Sequence, residues 1–262
     1  MELFIEFDGR QLAFRSDIGE VREFVAETFR HMLVPAATHS AGELEFSQTA
    51  KGYSLRSAES LNFANVPLDA LLPLVKDEVR LQFMRDRPDL LWMHAGAIER
   101  NGGALILAGM SGQGKSTLTT YLCEHGWRFL SDDVAPVRMD TDRVIPFLQL
   151  PVRRLHPGRE VAREELASLE RETVNVSTES VCREAPEIRG IVFIEYARGE
   201  SAKLIELDQG SAAMEILRNA TNFWDHRGAA VERAADLVSR VTMYRLVYDL
   251  PRPASEILNG LW

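Results

Sequence analysis

The chain is short of cysteine, of positive charge and of long apolar runs, and each shortage closes off a class of function. Of its 262 residues two are cysteine, Cys123 and Cys182. Two such thiols form neither a disulfide framework nor a metal-ligand spacing, and they point to a reducing, cytoplasmic setting. Cys123 falls in a predicted helix, where a buried structural thiol is expected. The net charge is −9 and the isoelectric point about 5.3, which argues against a nucleic-acid partner, because phosphate backbones demand a basic face. No apolar stretch nears the roughly 18 residues of a membrane span. The opening Met1-Glu2-Leu3-Phe4-Ile5-Glu6 carries an acid where a secretory signal carries lysine or arginine. The LSGGQ-like signature of transporter ATPases and the NKxD signature of GTPases are both missing. With 45% hydrophobic and 26% charged residues, what is left is an ordinary globular composition.

Against these absences stands one complete motif, Gly109-Met110-Ser111-Gly112-Gln113-Gly114-Lys115-Ser116, followed by Thr117. It matches G-x-x-x-x-G-K-[ST], a phosphate-binding P-loop. Gly112 and Gly114 permit the left-handed backbone that turns N–H groups inward around a polyphosphate. Lys115 supplies a point charge for the β- and γ-phosphates, and the Ser116 hydroxyl is placed for Mg²⁺. An apolar run at 104–108 predicts a strand before the loop, and 117–126 predicts a helix closed by Gly126, its N-terminal dipole aimed at the same phosphates. Strand, glycine loop and helix are the setting the motif needs, and ATP with Mg²⁺ is the expected cofactor pair.

Two textures divide the chain. Residues 1–87 read as a small α+β docking or cap domain. A hairpin turns at Asp8-Gly9, and a helix follows with Asp17 and Glu20 as a capping box and an apolar stripe from Ile18 to Leu33. A second hairpin surrounds Lys51-Gly52, and a helix runs from about Leu68 or Pro73 to Arg85, with Pro73 a candidate for its first turn. Residues 88–262 read as an α/β P-loop kinase domain with a mixed sheet. Strands are expected at 90–93, 95–98, 104–108, 127–131, 144–147, 191–196 and 244–248. Helices are expected at 160–172, with a mobile loop after it, and at 211–217 and 229–241.

Phosphoryl transfer needs the nucleotide held, Mg²⁺ placed and an acceptor oxygen relieved of its proton. Carboxylates at the end of a strand beside the P-loop strand meet the last two needs, and Asp132-Asp133 ends the 127–131 strand. One would stay ionised on Mg²⁺ while the other acts as base. Glu195, at the end of the 191–196 run, is a further candidate, either as a metal ligand or as the Walker B acid of a regulatory ATPase. A small-molecule kinase also fits the loop and the aspartates.

The stretch Met93-His94-Ala95-Gly96-Ala97-Ile98, the P-loop, and Glu124-His125-Gly126-Trp127-Arg128-Phe129-Leu130-Ser131-Asp132-Asp133 resembles the catalytic core of the HPr kinase/phosphorylase family. The spacings of His94 and Asp132 from Lys115 match that family. The resemblance implies an HPr-kinase-like core in which Asp132 takes the proton from an acceptor serine, His94 sits beside it and tunes it, and Asp133 helps hold Mg²⁺. Two departures qualify it. Met110 replaces a residue that is usually acidic, and residues 147–155 replace the glycine-rich signature tied to dephosphorylation. A kinase without the reverse activity, and without HPr as partner, is therefore implied. Relatives of this kind modify peptides in natural-product pathways, so a protein or a ribosomal precursor peptide is the expected acceptor. HPr kinases are hexamers, but residues 1–87 share no likeness with them, which leaves a homo-oligomer open.

Overall fold

The computed structural model describes residues 2–35, 42–57, 63–154 and 171–261. The chain divides into two compact units, Met1–Pro88 and Asp89–Trp262, both of mixed α/β character.

In the first unit, β1 (Glu2–Phe7), β2 (Arg10–Ser16), α1 (Gly19–Thr28), β3 (Leu33–Val34), β4 (Gly42–Thr49), β5 (Gly52–Ser57), β6 (Phe63–Val66) and α2 (Leu68–Asp86) follow in order. The sheet runs β3-β1-β2-β4-β5-β6, antiparallel except for the parallel pair β2–β4. Alternate residues Ile5, Phe7, Leu12, Phe14, Leu44, Phe46 and Leu55 are buried, as the two-residue period of a half-covered sheet requires. Their cover comes from Val21 and Val25 of α1 and from Leu71, Val75, Val79 and Phe83 of α2, the last set repeating every fourth residue.

Three local expectations change here. The Asp17–Glu20 capping box does not form; α1 begins after Ile18 with no side-chain cap, and the Ile18 N–H donates to Ser16 Oγ at 3.1 Å. A nearby hydroxyl competes directly for such backbone donors. The helix also stops at Thr28 rather than reaching Leu33, because Leu33 and Val34 pair with Ile5 and Phe4 of β1. Pro73 lies inside α2, whose first turn starts at Leu68.

The second unit holds β7 (Leu90–Met93), β8 (Ala95–Arg100), β9 (Gly103–Ala108), α3 (Lys115–Glu124), β10 (Arg128–Ser131), β11 (Ala135–Arg138), β12 (Val152–Arg154), β13 (Arg171–Thr173), β14 (Glu187–Tyr196), β15 (Lys203–Glu206), α4 (Gln209–Asn219), α5 (Phe223–His226), α6 (Gly228–Arg240), β16 (Thr242–Tyr248) and α7 (Pro251–Asn259). Its main sheet runs β10-β8-β9-β14-β16-β15, with β9, β14 and β16 parallel. β7 pairs with β11, and β12 with β13.

Helices cover both faces of this sheet, so its central strands β9 and β14 are largely apolar on both sides. On one face Ala95, Ala97, Ile106, Ala108, Ile191 and Phe193 pack with Ala212 and Ile216 of α4 and Ala234 and Leu237 of α6. On the other, Ile98, Leu105, Leu107, Val192, Ile194 and Leu246 pack with Leu118 and Leu122 of α3 and Ala254 and Leu258 of α7.

The expected 144–147 strand is reduced to single bridges, Val137 with Val144 and Ser131 with Phe147. Most of the 160–172 helix lies outside the described residues, and Arg171 and Glu172 belong to β13. The stretch after it, expected to be mobile, buries Val176, Val181 and Cys182, and the Cys182 N–H donates to Phe129 O at 2.8 Å.

Candidate functional site

The glycine loop leaves the end of β9 and feeds α3, at the side of the sheet where the parallel strands β9, β14 and β16 all end. Gly112 and Gly114 adopt φ of +90° and +83°, a left-handed backbone that side chains resist. A Cβ on Gly114 would also run into Tyr248 Oη. That hydroxyl is the loop's brace: it donates to Gln113 O (3.2 Å) and Gly114 O (3.1 Å). A second tie comes from β14, whose Tyr196 N–H donates to Gln113 Oε1 at 2.7 Å. Met110, Ser111, Gly112 and Thr117 face solvent, leaving the outer side of the loop open.

Lys115 is buried at the start of α3, and its ammonium donates to Gly109 O (2.6 Å), Met110 O (3.3 Å) and His94 Nε2 (3.0 Å). An ammonium only donates, so Nε2 of His94 accepts, and the hydrogen on Nδ1 goes to Asp133 O at 2.9 Å. His94 therefore bridges the loop lysine and the backbone of the aspartate pair. Its own backbone is pinned as well, with the His94 N–H donating to Asn219 O at 2.7 Å.

Ser116 Oγ donates to Asp132 Oδ2 at 2.9 Å, which brings the loop hydroxyl and the strand-end carboxylate together. Asp132 is buried. Asp133 has φ +71°, and the Val134 N–H reaches back to Asp132 O at 2.9 Å. This is a γ-turn of the rare, strained hand, and such conformations gather at functional sites.

The electrostatics agree with this packing. Burial, followed by the negative charge of Asp132, pushes the Cys123 thiol up to about 12. Burial, followed by the neighbouring Tyr196, raises the pKa of Tyr248. Tyr196 is raised by partial burial and then by its hydrogen bond to Asp249.

One solved structure that the comparison matches is an Hpr(Ser) kinase/phosphatase. It comes from Coxiella burnetii and matches at a TM-score of 0.35 and 10% identity, over 65% of this chain and 95% of that one. No family model and no curated protein matches the chain.

Of the residues singled out from the sequence, the loop, Lys115, Ser116, His94, Asp132 and Asp133 come together. Glu195 is exposed at the end of β14, one residue before the Tyr196 N–H that meets the loop, and it shares strand parity with Ile191 and Phe193, which face α4 and α6, whereas α3 covers the Val192 and Ile194 side. Among the described residues no group of three or more His, Cys, Asp or Glu side chains converges as a ready-made metal site, and no helix is long and apolar enough to cross a membrane.

Three contributors are not legible from motifs. Tyr248 braces the loop from a strand more than a hundred residues away. Gly96 lets α3 approach β8, since a Cβ there would lie 2.6 Å from Thr119 Oγ1. Asn222 pairs with the edge of β7 like a peptide group, accepting from the Trp92 N–H (2.9 Å) and donating to Leu90 O (2.9 Å), and so fixes the strand that leads into His94.

Proposed function

We propose that the second unit is an ATP- and Mg²⁺-dependent phosphotransferase that carries the γ-phosphoryl group to a hydroxyl, with serine of a protein or small peptide as the acceptor. The observation that carries this reading is the Ser116–Asp132 hydrogen bond. It joins the hydroxyl expected to meet a nucleotide-bound metal to the carboxylate expected to meet the acceptor.

The donor set suits Mg²⁺. Ser116 and Asp133 offer hard oxygen ligands, and a cation that keeps most of its waters and shares phosphate oxygens needs only one or two carboxylates from the protein. When bound, the ion would neutralise charge on the transferring phosphate. Everything else falls to the chain. The loop N–H groups and Lys115 hold the polyphosphate, with Lys115 oriented by His94 and by the loop carbonyls. Asp132 accepts the proton of the attacking hydroxyl, held in place at the start of α3 by the Ser116 hydroxyl. The open outer face of the loop leaves room for an acceptor as large as a peptide.

The test is transfer of label from γ-labelled ATP to a serine-containing peptide. Asp132→Asn should abolish transfer while Mg-ATP still binds. Label that appears only in inorganic phosphate would count against a kinase. Recovery of the Asp132→Asn rate by raised Mg²⁺ would make Asp132 a metal ligand and leave the base elsewhere.

A further inference from the structure

A cavity of about 680 Å³ lies between the turn after β14 and the first two turns of α7. That volume is within the roughly 300–1,000 Å³ of small-ligand pockets. Ala202, Leu250 and Pro253 give it apolar walls, and Glu200, Asp249 and Glu256 place carboxylates around them. Its two sides are the direct continuations of the strands that brace the glycine loop. Asp249 follows Tyr248, whose hydroxyl holds Gln113 O and Gly114 O, and the turn follows Tyr196, whose N–H holds Gln113 Oε1. The two sides are stitched together by the Gly199 N–H donating to Asp249 Oδ2 at 3.0 Å.

Parallel α/β sheets bind ligands outside the carboxyl ends of their strands. Here the end of β9 is taken by the loop, while the ends of β14 and β16 lead into the cavity. The same rim leaves Leu250 61% exposed and Tyr196 44% exposed, apolar and aromatic surface of the kind a flat ring system covers. Glu200 is paired with Lys203 at 3.6 Å and Glu256 with Arg252 at 3.2 Å. The acids are thus partly neutralised, yet they still offer acceptor oxygens only.

We infer that this cavity receives the base of the nucleotide, and that its acceptor-only carboxylates select a purine bearing an exocyclic amine. The inference rests on the phosphate-site reading above, and inorganic tripolyphosphate, which has no base, separates the two.

Calorimetry on the full chain should compare Mg-tripolyphosphate, Mg-ATP and Mg-ITP, the last carrying a carbonyl where ATP has its amine. Mg-ATP should bind about ten-fold or more tighter than Mg-tripolyphosphate, the advantage expected of one well-stacked base. Mg-ITP should fall well short of Mg-ATP. Leu250→Ser, and Ser201→Trp placed to fill the cavity, should erase the Mg-ATP advantage and leave tripolyphosphate affinity as it was. Both positions are exposed, and an unchanged melting temperature checks that each variant is folded. Tripolyphosphate binding as tightly as Mg-ATP, or variants that leave Mg-ATP affinity intact, would overturn the base site and spare the phosphate site. Equal affinity for Mg-ITP would overturn the amine selection. Failure of all three ligands to bind would overturn both readings together.

Discussion

Gly96 is the point where the spacing between α3 and β8 is set, and changing it tests how the Ser116–Asp132 contact is held. A Cβ at this position would stand 2.6 Å from Thr119 Oγ1 and 3.7 Å from Thr119 Cβ. Ordinary contacts lie at about 3.5–4.0 Å, so Gly96→Ala demands about 1 Å of retreat. Thr119 is fully buried and β-branched on a helix, which leaves its side chain few rotamers to retreat into. Overpacking of this kind costs about 1–3 kcal/mol, and replacing a mid-strand glycine returns roughly 0.5–1 kcal/mol. The expected net loss for Gly96→Ala is therefore about 0–2.5 kcal/mol. Thr119→Ala alone should cost little, because the Thr119 hydroxyl is buried without a hydrogen-bond partner and its removal also removes an uncompensated desolvation. In the Thr119→Ala background the added methyl at position 96 should fit, giving a coupling of about 1–3 kcal/mol in the double-mutant cycle. Urea unfolding followed by tryptophan fluorescence is well placed to measure this. All four tryptophans (92, 127, 224 and 262) belong to the second unit, so the signal reports on that unit. Additive single and double mutants would refute the claim that helix–strand spacing at Gly96 is the limiting contact. Mg-ATP affinity should fall with Gly96→Ala and return in the double mutant, since Ser116 rides on the same helix.

Further outcomes follow from the surroundings of the loop. Tyr248→Phe keeps the buried ring but strips the donor from Gln113 O and Gly114 O. It should cost about 1 kcal/mol of stability and weaken Mg-ATP binding several-fold, and unaltered affinity by calorimetry would show that the brace is ornamental. The Cys123 thiol gives a pH signature. Its folded-state pKa is raised from 9.0 to about 12, so the unfolded chain loses this proton first and stability falls as pH climbs from about 9 toward 12. Below 9 the contribution is complete. Urea titrations between pH 8 and 10 should show a shallower decline for Cys123→Ala, and identical slopes would contradict the burial-driven shift. In the same range, alkylation of native Cys123, which is part-buried, should be slower than that of the unfolded chain.

Much of this site was legible because the loop chemistry is local. Eight consecutive residues specify the glycine turns, the lysine and the hydroxyl, and an apolar pentad before them can only be a buried strand. The placing of Asp132 and Asp133 at a strand end one helix after the loop was also within reach, because the apolar run of β10 stops at them. What sequence order concealed were contacts closed by topology. His94 is aimed by Lys115 and by the backbone carbonyl of Asp133, two contacts that no motif spacing announces. Glu195 follows a motif-like apolar run, yet strand parity and pairing turn it toward the layer of α4 and α6. In the first unit, the Leu33–Val34 strand was hidden inside a helical stripe because the gain from pairing with β1 appears in no local pattern.

The residues alone determined the chemistry on offer: a left-handed glycine loop, one buried cation, one hydroxyl and two adjacent acids. Those properties depend on backbone conformations and functional groups contained in a few successive positions. Only the folded sheet decided which of them meet, because β9, β14 and β16 are brought side by side by crossovers through α3, α4 and α6, and a crossover leaves no trace at the positions it joins. Tyr248 touching Gln113, Thr119 lying on Gly96 and Ser116 bonded to Asp132 are all products of that packing.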